Sequence, residues 1–504
     1  MPRPAAPAPP SLPRRAALPA KVTELPRART DWRKVILVNL LSIGVHGIIL
    51  AACACIVLDR QLVEEIFTTL AIREDAPVDP ILNQPTVMPL ELKQNSVDAL
   101  QTPSAAELLA DRIAPVELDF DNLEPTFLPD DLTLTGPSVK IGDHFSGRTS
   151  AAKAALIKQF GGTSASEAAV AAGLKWLASR QLADGSWSFD HTRCKDCADG
   201  GCSQPGNLGE SYNGATAFAL LSFLGGGHTH QKGEYQAVVK RGLESLLKHG
   251  NMTPQGLELC GHVRGNERFY VHGLATIVLC ETASLTKDPH YSQPAIQALR
   301  YIAYAQDPKG GGWRYEVRER GDTSVVGWQI MALKSGQNGK LKVPGATFRL
   351  ADKFLDHVQG EKGAVYGYTN SPKSFAEANP SMTAVGLLCR MYMGWDSKNP
   401  HLKRGVAYLD QTKPSANDMY YNYYATQVMH HWGGEEWARW NAVMRDHLVR
   451  TQVSDGIETG SWDVTDPHGT AGGRLYQTCL CIMTLEVYYR HLPIYQRDKV
   501  KVEF

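Results

Sequence analysis

The sequence predicts an all-α protein of six similar helix pairs between about residues 165 and 495. In the first helix of each pair, apolar residues recur at helical spacing, as at Val170, Leu174 and Leu177, which indicates one buried and one solvated face. The second helix of each pair is apolar or small on nearly every side, which is typical of a buried helix. This self-similarity indicates a repeat protein with an outer and an inner layer of helices.

A Gln…Gly-x-Trp turn follows three of the outer helices, at residues 181–187, 306–313 and 452–462. The glycine permits a tight turn, and the tryptophan is a large apolar side chain with one N–H group to place. Turn glycines and buried aromatic residues usually serve structure. We therefore expect these residues to be packing devices and not catalytic groups.

The predicted inner helices are interrupted by polar groups and are too short to span a bilayer, which requires about 20 apolar residues. They cover residues 212–224, 270–283, 323–334, 383–393, 420–431 and 473–489. Six outer–inner pairs can form either an open solenoid or a closed ring, and the spacing of the repeats does not distinguish these two arrangements.

The pattern Gly-Leu-Lys-Trp-Leu-x4-Gln-x3-Asp-Gly-Ser-Trp at residues 173–187 resembles the repeat of squalene and hopene cyclases and of protein prenyltransferase β subunits. Residues 225–230, 321–329, 420–427 and 485–493 resemble segments of membrane-anchored proteins that carry a prenyltransferase and squalene oxidase repeat. The resemblance covers about the last two-thirds of the chain and implies a closed (α/α)6 toroid. It implies no established reaction, so the function stays open.

The region before the repeats predicts a membrane anchor. Residues 1–34 are basic and rich in proline, so we expect a disordered tail, and residues 35–58 are uncharged and long enough to span a bilayer. The basic flank places the N-terminus in the cytoplasm and the repeats on the extracytoplasmic, periplasm-like side. Residues 59–150 are predicted to be an acidic, proline-containing linker, followed by the toroid at 151–495 and a tail at 496–504.

Two other interpretations of the apolar segment remain. A cleaved signal peptide is disfavoured because the basic region before the apolar run is long. A lipoprotein signal is suggested by the lipobox-like residues that end in Cys53, although the apolar run continues beyond that cysteine. Either the membrane span or a lipidated Cys53 would tether the protein to a membrane.

The charges of the chain are balanced, with 52 basic and 52 acidic residues, so no global field predicts a nucleic-acid partner.

Three cysteines, Cys194, Cys197 and Cys202, lie in the loop between the first outer and inner helices. An extracytoplasmic location favours disulfides. The alternatives are free thiols and a structural zinc site, which needs a fourth ligand that only His191 or Cys260 offers nearby. We predict no other cofactor.

Catalytic motifs of the resembled families are not found. The cyclases use an Asp-x-Asp-Asp motif to place a proton donor, and the prenyltransferases use zinc held by Asp, Cys and His. Asp322, at the start of the third inner helix, is the one weak candidate acid, and helix capping is its commoner role. Enzymatic activity is therefore left open.

Aromatic and polar residues of the inner helices are candidates to line a ligand site. They are Tyr212, Tyr270, His272, Trp328, Tyr420, Tyr421, Tyr424, His430 and Arg474. Aromatic faces stabilise cations and line sites for lipid-like ligands, but large aromatic residues also simply fill cores.

Taken together, these features predict a membrane-anchored, extracytoplasmic toroid that binds an apolar or isoprenoid-like ligand in its interior, or a protein partner at its rim. The alternatives are an enzyme of the terpenoid cyclase or transferase type that acts on a squalene-like lipid and, with less support, a carbohydrate-active toroid. An enzyme would show an interior cavity faced by an acid such as Asp322. A scaffold would show a filled centre and an exposed apolar patch on its rim.

Overall fold

Helices make up most of the described part of the chain, residues 90, 145–197, 200–466 and 469–495 of a computed structural model. The predicted basic tail, membrane span and C-terminal tail lie outside the described residues, as does Cys53. Of the predicted linker, Leu90 and the residues from 145 onward are described.

The helices alternate regularly along the chain. In order they are α1 (Ser150–Phe160), α2 (Ser164–Ser179), α3 (Tyr212–Gly225), α4 (Gln236–Lys248), α5 (Arg268–Thr286), α6 (Pro289–Ala305), α7 (Thr323–Asn338), α8 (Gly345–Val358), α9 (Pro380–Tyr392), α10 (Pro400–Thr412), α11 (Met419–Trp432), α12 (Gly434–Thr451), α13 (Gly469–Leu485) and α14 (Val487–Arg490). Two short antiparallel hairpins, β1–β2 (Asn251–Thr253 with Gly256–Glu258) and β3–β4 (Gln359–Gly360 with Val365–Tyr366), lie between helices.

The odd-numbered helices from α3 to α13 form a closed inner ring. Each of them contacts the next, and α13 returns to contact α3. The even-numbered helices α2 to α12 form the outer layer, in which α12 contacts α2. The predicted all-α fold and its closure into an (α/α)6 toroid are therefore confirmed, and the open solenoid is excluded.

Burial distinguishes the two layers as the periodicity predicts. Nearly all residues of α3 are buried, whereas α4 buries a stripe that includes Val239, Leu243 and Leu246 and exposes its other face. Helix α5 is long and apolar enough to pass as a membrane span by length and composition, but 83% of its most apolar window is buried in the protein. We therefore assign α5 to the core of the ring.

The Gln…Gly-x-Trp turns join neighbouring repeats. Gln181 donates through Nε2 to the carbonyl oxygen of Gly185 in its own turn and to that of Val238 in the next outer helix, both at 2.9 Å. Trp187 donates through Nε1 to the carbonyl oxygen of Leu177 at 2.8 Å. The glutamine therefore connects its turn to the next outer helix, and the tryptophan bonds the turn to the outer helix that precedes it.

The other two turns repeat this geometry. Gln306 reaches Thr347 of α8, and Gln452 reaches the carbonyl oxygen of Ala169 in α2 at 2.8 Å, so the last repeat is bonded to the first. Gly311 has a φ angle of 85°, a left-handed conformation that glycine adopts readily. The main chain of Leu350 also leaves no room for a Cβ atom at Gly311.

Candidate functional site

The centre of the ring is filled by aromatic side chains from three inner helices. Trp328 of α7 stacks on Tyr423 of α11 with ring centroids 5.7 Å apart, and it meets Tyr424 and Phe218 edge-on at 5.5 and 5.9 Å. These four side chains, which we name the aromatic plug, are at most 5% exposed. Such offset and edge-on pairs contribute about 0.5–1.5 kcal/mol each beyond their burial. The plug thus closes the ring across its width.

Hydroxyl groups lie beside the plug where the inner helices begin. Tyr270 donates to Ser324 Oγ at 3.0 Å, and Ser324 Oγ lies 2.7 Å from the hydroxyl of Tyr420. The ring of Tyr420 contacts that of Tyr424 with centroids 5.0 Å apart. Burial raises the pKa values of Tyr270 and Tyr420, so both phenols are protonated at neutral pH and able to donate hydrogen bonds.

Asp322 caps α7 beside these hydroxyls. Its Oδ1 accepts from the backbone N–H of Val325 at 2.8 Å, while Oδ2 has no hydrogen-bond partner among the described residues. Arg314 Nε lies 3.7 Å from Oδ2. Burial raises the pKa of Asp322 to about 7, against the opposing effects of Val325 N–H, Arg314 and the Tyr368 hydroxyl. The fully buried carboxyl therefore holds a proton up to near-neutral pH.

Two further tyrosines and the arginine cover the acid. The hydroxyls of Tyr315 and Tyr368 are 2.6 Å apart, and the Arg314 guanidinium lies 4.9 Å from the ring centre of Tyr315. Burial, and after it the negative charge of Asp322, raises the pKa values of Tyr270 and Tyr368. We name the set the rim cluster. Its members are Tyr270, Arg314, Tyr315, Asp322, Ser324, Tyr368 and Tyr420.

The rim cluster combines partly exposed donors with one acid. Tyr270, Arg314 and Tyr315 are each partly exposed, so the cluster reaches solvent. A carboxyl pKa near 7 suits general acid chemistry.

Glycoside hydrolysis commonly needs a second carboxylate. At this end of the ring, Asp418 and Asp466 accept backbone N–H groups at the start of α11, so both carboxylates already serve the helix.

Five of the predicted residues lie in or against these two clusters. They are Tyr270, Asp322, Trp328, Tyr420 and Tyr424. For the aromatic residues the sequence left simple core packing open as an alternative. Trp328 and Tyr424 have this role, because both belong to the plug.

Three predicted residues lie away from the rim cluster. His272 lies between α5 and α6, where Nδ1 accepts from Leu259 N–H at 3.2 Å and Nε2 donates to Ala298 O at 3.3 Å. Tyr421 packs edge-on against Trp440 of the outer helix α12. His430 donates through Nε2 to the carbonyl oxygen of His491 at 2.8 Å, near the end of α11. None of the three joins the rim cluster.

The remaining two predicted residues hold loops. The hydroxyl of Tyr212 accepts from Arg193 at 2.7 Å. Arg474 donates to the carbonyl oxygen of Ser203 at 3.2 Å and to Ser461 Oγ at 2.9 Å, and it pairs with Asp463. Arg474 therefore fixes the loop before α3 to the start of α13.

Arg314, Tyr315, Ser324 and Tyr368 were not predicted from the sequence. Arg314 and Tyr315 directly follow the turn tryptophan Trp313, and Tyr368 follows the β3–β4 hairpin. One feature of the sequence could have identified Arg314 and Tyr315. They stand between a Gly-x-Trp turn and an inner helix, and this segment leads the chain to the end of the ring where the inner helices start.

The cysteine loop contains a disulfide. Cys197 is bonded to Cys202, while Cys194 and Cys260 are free and buried. Ligand-type atoms of His191, Cys202 and Glu458 lie within 4.8 Å of one another. However, Glu458 accepts hydrogen bonds from His191 Nε2 at 3.1 Å and from Ser203 N–H at 2.9 Å, and Cys202 is in the disulfide. These donors are therefore committed to other partners, and zinc stays an untested prediction.

No sequence-family model and no curated protein sequence matches the chain. Among solved structures, it is similar to an α-1,6-mannanase of Salegentibacter sp. HEL1_6 in complex with α-1,6-mannotriose, with a TM-score of 0.44, 10% identity, and coverage of 63% of this chain and 98% of that one. It is also similar to a type II terpene cyclase from Scytonema, with a TM-score of 0.43, 12% identity and coverage of 65% and 97%.

A family 76 mannosidase of Bacteroides thetaiotaomicron gives a TM-score of 0.44 at 11% identity, with coverage of 67% of this chain and 100% of that one. The closed ring of inner helices agrees with the toroid that the repeat motif implied. The chain is an α/α-toroid protein.

Proposed function

We propose that this toroid binds a hydroxyl-rich, ring-shaped ligand of the carbohydrate class at the rim cluster. One observation carries the proposal. The centre of the ring is filled by the aromatic plug, whereas tyrosine and serine hydroxyls and one guanidinium are gathered at the end where the inner helices begin.

A deep apolar site has less support. Sites that enclose small-molecule ligands usually have volumes of about 300–1,000 Å³. Here Trp328, Tyr423 and Phe218 occupy the position that such a ligand would need, and their mutual ring contacts would have to be broken to admit it. The isoprenoid-like ligand that the sequence favoured is therefore the weaker of the two hypotheses.

The chemistry of the rim cluster suits a sugar. A pyranose offers hydroxyl groups at its edge and C–H groups on its faces, and tyrosine offers both a flat apolar face and a polar end. The Tyr270 hydroxyl donates to Ser324, so its oxygen is left to accept from a ligand, and the partly exposed Arg314 donates only. Ser324 and Tyr420 are buried and hold the Tyr270 hydroxyl in place. The partly exposed faces of Tyr270 and Tyr315 supply the stacking surface.

The location is part of the proposal. A span at residues 35–58 with its basic flank in the cytoplasm would hold the ring on the extracytoplasmic side, attached to the membrane. Extracytoplasmic space is where polysaccharides are found, so the topology and the ligand class are compatible.

Binding by the full chain in detergent micelles tests the proposal by calorimetry, with a panel of oligosaccharides against squalene and geranylgeraniol. We expect at least one oligosaccharide to bind. Tyr270→Phe should weaken that binding about two- to tenfold, because a hydrogen bond contributes about 0.5–1.5 kcal/mol. Tyr408→Phe is the matched control, since its hydroxyl donates to Ala378 O in the outer layer. Binding of the lipids alone, unaffected by Tyr270→Phe, would contradict the proposal.

A second candidate function rests on Asp322. Its raised pKa, and an Oδ2 atom that faces Arg314 at 3.7 Å without a hydrogen bond, favour a proton donor, in which case the bound ligand would also be transformed. Product analysis by mass spectrometry after incubation with the bound oligosaccharide, or with squalene, tests this. Loss of any product in Asp322→Asn would support catalysis, and turnover that survives this change would exclude Asp322 as the acid.

The pKa of Asp322 also predicts a pH dependence of stability. The folded state keeps a proton that the unfolded chain loses above pH about 4, so the stability associated with this carboxyl is full at low pH and falls as the pH rises towards 7. In this range the free energy of unfolding should fall by up to about 1.4 kcal/mol per pH unit. Urea unfolding of the wild type and Asp322→Asn, which keeps the cap, should converge at low pH and diverge in this window. Parallel curves from pH 4 to 7 would show that Asp322 titrates normally.

A further inference from the structure

Three sulfur atoms lie together in the loop between α2 and α3. The free thiol of Cys194 has its Sγ 3.3 Å from Sγ of Cys197, which is bonded to Cys202. Cys194 is only 2% exposed, whereas Cys202 is partly exposed. A buried thiol is therefore in contact with one sulfur of a disulfide whose other sulfur reaches the surface.

We propose that Cys194, Cys197 and Cys202 form a thiol–disulfide exchange site. The Cys194 thiolate attacks Sγ of Cys197, the Cys194–Cys197 bond forms, and the Cys197–Cys202 bond breaks with Cys202 leaving as a thiolate. The proton lost by Cys194 is regained by Cys202, so the step consumes no oxidant or reductant. The outcome moves the free thiol from a buried to an accessible position, where it can react with a low-molecular-weight thiol or disulfide.

The local backbone suits both pairings. Lys195–Cys197 is a 3₁₀ helix, and the N–H of Cys197 donates to the carbonyl oxygen of Cys194 at 3.2 Å. In such a turn residues i and i+3 lie on the same side, which keeps the two sulfurs adjacent. The alternative rings differ by only two residues in sequence separation, 3 against 5, so loop entropy barely distinguishes them.

The residues after Cys202 stay attached in either state. Ser203 donates its N–H to Glu458 at 2.9 Å, and its carbonyl oxygen accepts from Arg474 at 3.2 Å. Breaking the Cys197–Cys202 bond therefore frees a side chain without freeing the loop. The exchange is independent of any ligand at the rim cluster.

The other described free cysteines offer little competition. They are Cys260, Cys280, Cys389, Cys479 and Cys481. Burial raises the pKa of each thiol, so thiolate is scarce at neutral pH. Among the cysteines that the structure describes, reactivity of a maleimide with the folded protein should therefore report mainly on the three-cysteine loop.

Labelling of the folded full-length chain with N-ethylmaleimide, followed by non-reducing trypsin digestion and mass spectrometry, tests the proposal. Trypsin cleaves after Lys195, so a Cys194–Cys197 bond links two peptides, whereas a Cys197–Cys202 bond lies within one. We expect label on Cys202 in some molecules and little label on the buried Cys194. The linked Cys194–Cys197 peptide should appear in the molecules labelled on Cys202, and Cys197 should remain unlabelled.

Two variants make the result decisive. In Cys194→Ser the exchange has no nucleophile, so labelling of Cys202 should fall at least about tenfold while the disulfide and the melting temperature are kept. In Cys202→Ser the linked Cys194–Cys197 peptide should become the main form. Wild-type labelling of Cys202 that is as slow as in Cys194→Ser would overturn the proposal. So would one zinc ion per chain that protects all three thiols.

Discussion

Replacing Trp313 by alanine is expected to lower the free energy of unfolding by about 3–5 kcal/mol. The indole is fully buried, and its Nε1 donates to the carbonyl oxygen of Ile302 at 2.8 Å. The substitution would leave a cavity between α6 and the turn that leads to α7, and it would remove the donor from a buried carbonyl group. Both changes are unfavourable, because the residues around the cavity lose packing contacts and the buried carbonyl group is left without a hydrogen-bond donor. Equilibrium unfolding in urea measures the loss.

Trp432→Ala is the matched control, because this tryptophan ends α11 and is partly exposed. Its loss should be less than half of that for Trp313. Similar losses in the two variants would mean that the turn tryptophan is not a specific stabiliser. Trp187 and Trp462 make the same bond to their own outer helices, so their alanine variants should resemble Trp313→Ala.

Glu458→Gln is expected to cost about 3–5 kcal/mol, since it removes the charge from a buried ionic network. Glu458 Oε2 accepts from Trp176 Nε1 at 2.8 Å and lies 3.4 Å from Arg180, and Oε1 accepts from His191 and Ser203. A glutamine would direct N–H groups at these donors and leave the arginine without its counter-ion. Thermal and urea unfolding measure the effect.

Glu435→Gln is the control for this change. Its side chain is 92% exposed and pairs with Arg439 at 3.4 Å, so the expected loss is below about 0.5 kcal/mol. An equal loss in the two glutamine variants would show that the buried network is not stabilising.

The same network predicts an acid limb in the stability profile. Burial alone would raise the pKa of Glu458, but hydrogen bonds from His191, Ser203 N–H and Trp176 hold it at about 2. A lowered pKa means that stability is present above the unfolded value of 4.5 and is lost as the pH falls from 4.5 towards 2. In Glu458→Gln this part of the acid limb should disappear. A profile with an unchanged slope between pH 4.5 and 2 would assign it to other carboxyls.

Much of the fold could be predicted from local patterns. The stripe of Val239, Leu243 and Leu246 defines an outer helix by itself, because one helical face must leave water. Closure of the ring could not be read from spacing. It depends on contacts across the whole chain, such as the bond from Gln452 in the last repeat to Ala169 in the first.

The rim cluster was only partly predictable. Tyr270, Tyr420 and Asp322 stood out because they begin inner helices, yet Arg314 and Tyr368 arrive from turns whose paths no periodicity describes. Within an inner helix, the sequence leaves open which residues face the centre of the ring. Tyr420 and Tyr421 are neighbours in sequence, but one faces Ser324 and the other packs against the outer helix.

The amino-acid sequence by itself determined the helix pairs, their two layers and the turn residues that join them, because these depend on interactions within one or two neighbouring segments. Only the tertiary structure decided which side chains meet. Successive residues on a helix diverge by about 100°. When all sides of the helix are buried, polarity no longer marks the side that faces the centre, and the assignment rests on packing between distant repeats.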